Sequence, residues 1–176
     1  MHTVAVLFAR KTSIYKSIAC CDVYDLERDA LSFPGGIPVV CHPPCRSWGK
    51  LASLATRVRP GEKELAFYAV DQVRKNGGVL EHPKGSKLFD SLPRVGSIDK
   101  FGGFVLGVNQ SWWGHSGLKP TLLYVCGVSR SSVQFPLSLD YPLKTVEMMS
   151  TAERERTPPA FAQWLVDLAK RCGGVR

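Results

Sequence analysis

Two residues stand out for chemistry: a cysteine on a proline-stiffened turn and a carboxyl at the end of a strand-like run. Cys45 closes the stretch Cys41-His42-Pro43-Pro44-Cys45-Arg46. Pro43 and Pro44 restrict the backbone to extended conformations, so the thiol is expected to stand out from a rigid loop rather than pack inside. Residues 47–55 read as a helix. A thiol near a helix N-terminus has a lowered pKa, because the dipole and free N–H groups favour thiolate. Glu81 lies between Leu80 and the turn His82-Pro83. A half-buried carboxyl there is expected to keep its proton near neutrality and act as an acid. Thiolate and carboxylic acid together suit one reaction: sulfur adds to C6 of a pyrimidine while the acid serves N3, and C5 becomes nucleophilic. Arg46, Gln110 and Lys119 are candidates to hold a phosphate or a base edge.

These groups need a frame. Residues Thr3 to Phe8, Ile37 to Cys41, Val79-Leu80, Phe104 to Val108 and Thr121 to Cys126 are short apolar, β-branched runs bounded by turn residues, and each predicts a buried strand. Val23-Tyr24 predicts a brief further one. Glu62 to Lys75 carries Leu65, Ala69, Val70 and Val73 at helical spacing, with Gly77-Gly78 as the stop. Ser150 and Glu153 have capping-box spacing. A last helix from Pro158-Pro159 to about Arg171 bears the stripe Phe161, Trp164, Leu165 and Leu168. Val128 to Leu143, rich in Ser and Pro, reads as an irregular loop with one edge strand. Strands alternating with helices predict an α/β protein, a Rossmann-like three-layer sandwich with a mostly parallel sheet, built as a single domain over residues 1–176. In such a sheet, ligands bind beyond the carboxyl ends of strands. The Cys45 loop, the Glu81 turn and the segment from Asn109-Gln110 to Lys119 all fall there.

Composition sets outer bounds. The 44% hydrophobic and 22% charged residues are near globular averages, which excludes collagen-like, coiled-coil and disordered classes. A net charge of +8 suits a polyanionic partner, DNA or a pyrimidine nucleotide. The six cysteines include the adjacent pair Cys20-Cys21 and lack the pattern of a secreted disulfide framework. With no signal-like start and no apolar run of about 18 residues, the expectation is a cytoplasmic protein with no membrane partner. Cys41 and Cys45 have no answering pair of ligands, so no metal is expected.

The Pro-Pro-Cys turn followed by a strand ending in Glu resembles motifs of the cytosine-C5 DNA methyltransferases. More closely, the chain is similar to short methyltransferase-like proteins of phage genomes over about residues 3 to 127. The matching parts are Val4 to Phe8, Asp22 to Asp29, His42 to Cys45, Glu81 to Pro83, and Gly114-His115 with Lys119-Pro120-Thr121. The resemblance implies a reduced methyltransferase-like core, Cys45 as nucleophile and Glu81 as the N3 partner. Pro44, Arg46, His82, Gln110, His115 and Lys119 then line the substrate, and a phage-encoded protein would work in the cytoplasm of a bacterial host. It also implies S-adenosylmethionine as cofactor, with Asp22 or Asp25 on the ribose hydroxyls. The family's glycine-rich turn after the first strand has no counterpart in Phe8 to Ser13. The stretch after Thr121 is too short for a separate target-recognition domain, so sequence-specific reading of duplex DNA is not expected. Two alternatives stay open: a non-catalytic nucleic-acid-binding or decoy protein on the same fold, and an enzyme acting on free pyrimidine nucleotides. Trp112-Trp113 fit either base stacking or packing over the core. Arg154, Arg156, Lys170 and Arg171 fit either a solvated face or nucleic-acid contact.

Overall fold

The computed structural model describes residues 3–49, 61–137 and 142–173. Six strands form one mixed, mostly parallel sheet: β1 (Val4–Leu7), β2 (Cys21–Val23), β3 (Val39–Cys41), β4 (Gly78–Pro83), β5 (Phe104–Asn109) and β6 (Pro120–Cys126). Their order is β2-β1-β3-β4-β6-β5. β1, β2, β3 and β4 run parallel, whereas β6 is antiparallel to both β4 and β5. An all-parallel arrangement through β6 is thereby excluded, for a local reason. The short connection after β5 turns the chain straight back alongside it, and a parallel return needs a crossover of a dozen or more residues. The α/β architecture is compatible with a Rossmann-like fold.

Side-chain alternation along the strands divides the core. Val4, Val6, Val40, Val79, Leu123 and Val125 join one apolar cluster with the helix α3 (Pro159–Cys172), through Phe161, Leu165 and Leu168. Ala5, Leu7, Val39, Cys41, Leu80 and Tyr124 join the other, with the helix α1 (Glu62–Asn76) through Ala66, Ala69, Val70 and Val73. Successive strand residues point to opposite faces, so the division follows from the period of two. Gly78 opens β4 at φ 129°, and a Cβ there would stand 2.0 Å from the Val39 carbonyl oxygen. Only glycine permits that approach.

Some boundaries differ from expectation. β4 stays paired as far as Pro83, opposite Thr121, so His82 and Pro83, expected as a turn, belong to the strand. A short helix α2 (Thr151–Glu155) precedes α3 and carries the expected capping box from Ser150 and Glu153. The described part of Val128 to Leu143 contains a 3₁₀ turn at Arg130–Ser132 and no strand. Residues 47–49 form turns, and the remainder of the expected helix over 47–55 lies outside the described residues.

The reversed direction of β6 has a positional consequence. Its first residue, Pro120, pairs with the last residue of β5, and Thr121 pairs with the last of β4. The start of β6 therefore shares one edge of the sheet with the carboxyl ends of the other strands.

Candidate active site

Along that edge the chain places Phe8 to Arg10 after β1, His42 to Arg46 after β3, Glu81 and His82 at the end of β4, Gln110 after β5 and Lys119 before β6. The loop after β3 begins with His42, whose N–H donates to the Leu7 carbonyl. Its shape is then fixed from below by His82, which is 1% exposed. The His82 Nε2–H donates to the Pro43 carbonyl at 3.1 Å, and Nδ1 takes the Ser86 hydroxyl at 2.7 Å. Burial lowers the His82 pKa despite the nearby Glu81 charge, so the ring is neutral and this assignment satisfies both nitrogens. His82, expected to line the substrate, is thus buried and clamps the Pro43-Pro44 turn.

Cys45 emerges from that turn as an exposed residue, and the other cysteines are half-buried or buried. Desolvation first, then the Glu81 charge, raise its pKa, and Arg46 opposes them only weakly. The lowering expected from a helix N-terminus rests on residues 47–55, of which 50–55 lie outside the described residues; desolvation of the sulfur and the Glu81 charge act in the opposite direction. Arg46 is drawn elsewhere, donating at 3.0 Å to Glu62, a buried carboxylate in the first turn of α1.

Glu81 also departs from expectation. Burial raises its pKa, but the hydrogen bond and charge of His42, followed by Lys119, prevail and leave it below the ordinary carboxyl value. It is a carboxylate at neutrality, not an acid holding a proton. Oε2 accepts from His42 Nδ1 at 3.0 Å, and Oε1 accepts from Gln110 Nε2 at 3.1 Å. Tyr15 completes the chain. Its hydroxyl lies 2.9 Å from His42 Nε2, and burial, then Glu81, push its ionisation well above the ordinary range. Tyr15 therefore keeps its proton, and Tyr15, His42 and Glu81 form one continuous chain of hydrogen bonds.

Gln110 is 1% exposed and also donates to Thr121 Oγ1 at 3.1 Å. Its Oε1 is buried and finds no hydrogen-bond partner among the described residues. Turning the amide over would set that oxygen against the Glu81 carboxylate, so the orientation is dictated by charge. The result is a cluster of acceptors beside Glu81: its own oxygens and one orphaned amide oxygen.

His115 and Lys119 have structural partners. His115 Nε2 donates to the Glu153 carbonyl at 3.2 Å, and Nδ1 accepts from the Gly117 N–H at 3.2 Å. Lys119 donates to the Arg156 carbonyl at 2.9 Å, and burial lowers its pKa against the pull of Glu81, Cys45 and Glu155. Pro44 is half-buried beside the cysteine. Trp113 packs at 8% exposure on Phe161 and Trp164, while Trp112 is 37% exposed.

The residues expected to hold a cofactor are engaged. Asp22 pairs with Arg28 and accepts from the Tyr24 hydroxyl. Asp25 pairs with Lys16 and caps the Glu27 and Arg28 N–H groups, which holds its pKa down to about 2. After β1 the backbone makes a left-handed turn at Phe8, φ 63°, whose ring meets Tyr68 edge-on. S-adenosylmethionine needs a glycine-lined backbone and free ribose acceptors. A turn carrying a bulky ring, beside two carboxylates already filled by cations, does not fit it. Among the described residues no cluster of His, Cys, Asp and Glu has the make-up of a metal site, and no helix is long and apolar enough to cross a membrane.

Tyr15 joins the site although the sequence did not single it out, and His42 joins it as a partner of Glu81, a role not expected of it as the first residue of the His42 to Cys45 stretch. His42 carried a signal, as the first residue beyond a strand that ends at the ligand edge. Tyr15 carried none, since its partner lies 27 positions away. Compared with known proteins, the chain matches no family model and no curated protein.

Proposed function

We propose that this protein is a pyrimidine-modifying enzyme acting at C5 of cytosine, in DNA or a nucleotide, through covalent addition of Cys45 to C6. The fold on which this reading rests is a Rossmann-like, three-layer, methyltransferase-like core. The observation that carries it is the meeting, at one sheet edge, of an exposed thiol on a clamped Pro-Pro turn and a carboxylate oriented by His42 and Gln110.

The protonation inventory determines how addition must run. The resting pair holds one mobile proton, and it sits on sulfur rather than on Glu81. As the S–C6 bond forms, the C5=C6 π electrons move through C4 onto N3, which takes up a proton. Glu81 is the base that receives the thiol proton and returns it at N3. C5 is left as an enamine-type carbon able to capture an electrophile. The acceptor cluster at Glu81 and Gln110 favours a base bearing an N–H donor at C4. Cytosine presents an amino group there and uracil an oxygen, which is why cytosine is the proposed base.

The test is mass spectrometry of nucleosides from cells expressing the protein. A modified cytosine that disappears with Cys45→Ser supports the reading, and an unchanged nucleoside profile opposes it. A second reading, a non-catalytic nucleic-acid-binding protein, draws on the raised thiol and the filled Asp22 and Asp25 carboxylates. It predicts salt-dependent DNA binding with no modified nucleoside.

A further inference from the structure

The segment leading into α3 runs across the ligand edge as a strap. The Leu118 N–H donates to the Lys144 carbonyl at 2.8 Å, and Lys119 and His115 donate to the Arg156 and Glu153 carbonyls. Met149 lies so close to Gly117 that a Cβ there would stand 2.2 Å from its methyl carbon. From the other side, Arg10 in the loop after β1 pairs with Glu155 at 2.9 Å. Two cations from different strand ends, Arg10 and Lys119, thus converge on consecutive residues of one strap. Their acceptors there are a carboxylate and a carbonyl oxygen.

We infer that Arg10 and Lys119 form a phosphate-binding subsite at the ligand edge of the sheet, that Glu155 and Arg156 of the strap fill it in this state, and that a phosphate-bearing substrate displaces them. The inference rests on the proposed pyrimidine chemistry for the identity of the neighbouring base. Its own support is geometric. The strap is held mainly by polar ties, with Met149 buried and no buried residue in α2. The Arg10–Glu155 pair is 59% and 50% exposed, and exposed pairs are weak latches. The hydrogen-bond acceptor that the strap offers Lys119 is a neutral carbonyl, with the Glu155 charge nearby, so a phosphate offers it a charge-assisted bond in that carbonyl's place. The same neighbourhood reaches the nucleophile, because the Glu155 charge also raises the Cys45 thiol, after desolvation and Glu81. Displacing the strap frees Arg10 and Lys119 and moves that negative charge away from the thiol together.

The phosphate can belong to a free nucleotide or to a nucleic-acid backbone, and binding to three probes separates the sources: deoxycytidine, deoxycytidine monophosphate and a short oligo(dC). Glu155→Gln should tighten phosphate-bearing probes about two- to fivefold, the scale of an exposed ion pair, and leave deoxycytidine unchanged. Arg10→Met and Lys119→Met should weaken the same probes. Tightening of the monophosphate and oligomer together indicates a site open to free nucleotides, and tightening of the oligomer alone indicates a backbone phosphate. Bound phosphate probe should also speed tryptic cleavage after Arg154 and Arg156, because the strap is released. The inference is overturned if Glu155→Gln leaves both phosphate probes unchanged, tightens deoxycytidine equally, or if none of the probes binds either protein. Cys45→Ser keeps the subsite and removes the chemistry. Phosphate effects without base modification therefore sink the enzymatic reading alone, and modification without phosphate effects sinks the subsite alone.

Discussion

Raising the pH from about 6 to about 8 should speed alkylation of Cys45 by iodoacetamide roughly a hundredfold. The magnitude follows from where the thiol titrates. Desolvation and the Glu81 carboxylate place its pKa above the ordinary thiol value of about 8.5, so the whole window lies on the protonated side. There the thiolate fraction grows about tenfold per pH unit. The assay is peptide mass spectrometry under pseudo-first-order conditions. Trypsin releases residues 29–46 as one peptide containing Cys41 and Cys45. Cys41 is fully buried, so fragment ions give a built-in control for unfolding. Replacing Glu81 by Gln removes the nearby negative charge and should raise the Cys45 rate at neutral pH, even as it destroys the proposed chemistry. A rate that is flat below pH 7, or that falls in Glu81→Gln, would refute the assignment of a thiol–carboxylate resting pair.

Other outcomes follow from the same contacts. His42→Ala removes a hydrogen bond to the Glu81 carboxylate and should destabilise the protein by about 1.5–3 kcal/mol at pH 7 in urea titrations. Because folding depresses the Glu81 pKa, the stability tied to its charge is present above the unfolded carboxyl value. It is lost as pH falls through the folded one, so the penalty should shrink below about pH 4. His82→Ala unclamps the Pro43-Pro44 turn and should lower base modification at least about tenfold while Cys45 still alkylates, a split visible by assaying both on one preparation. Gly78→Ala drives a methyl into the Val39 carbonyl and should abolish cooperative thermal unfolding. Calorimetry should detect no S-adenosylmethionine binding at millimolar concentration, because Asp22 and Asp25 are committed to Arg28 and Lys16.

Much of the frame was legible in the sequence because short β-branched runs and one amphipathic period of 3.6 carry their own signal. The helix over Glu62–Asn76 and the strands around Val4, Val40 and Leu123 are of this kind. The direction of β6 was not, since strand periodicity is the same whichever way a strand runs. At the site, the Pro43-Pro44-Cys45 turn and Glu81 announced themselves by residue type and neighbours. Their protonation did not. That depends on His42, Gln110 and Lys119, which are distant in sequence and reach Glu81 only once β3, β4, β5 and β6 align at one edge. The strap was invisible for the same reason. Glu155 carried no signal and Arg156 fitted either a solvated face or a nucleic-acid contact, and only the folded chain brings them to Arg10 and Lys119.

The central claim is that Cys45 adds to C6 and activates C5, and hydrogen exchange at C5 tests it without needing any electrophile. Addition in deuterated water lets the enamine carbon take up deuterium, and elimination of Cys45 with loss of the original hydrogen leaves C5-deuterated cytosine. Deuterium should appear at C5 of deoxycytidine monophosphate or oligo(dC) with the unaltered protein, and none should appear with Cys45→Ser or Glu81→Gln. Exchange that persists in Cys45→Ser, or its absence from both substrates with the unaltered protein, would contradict the claim.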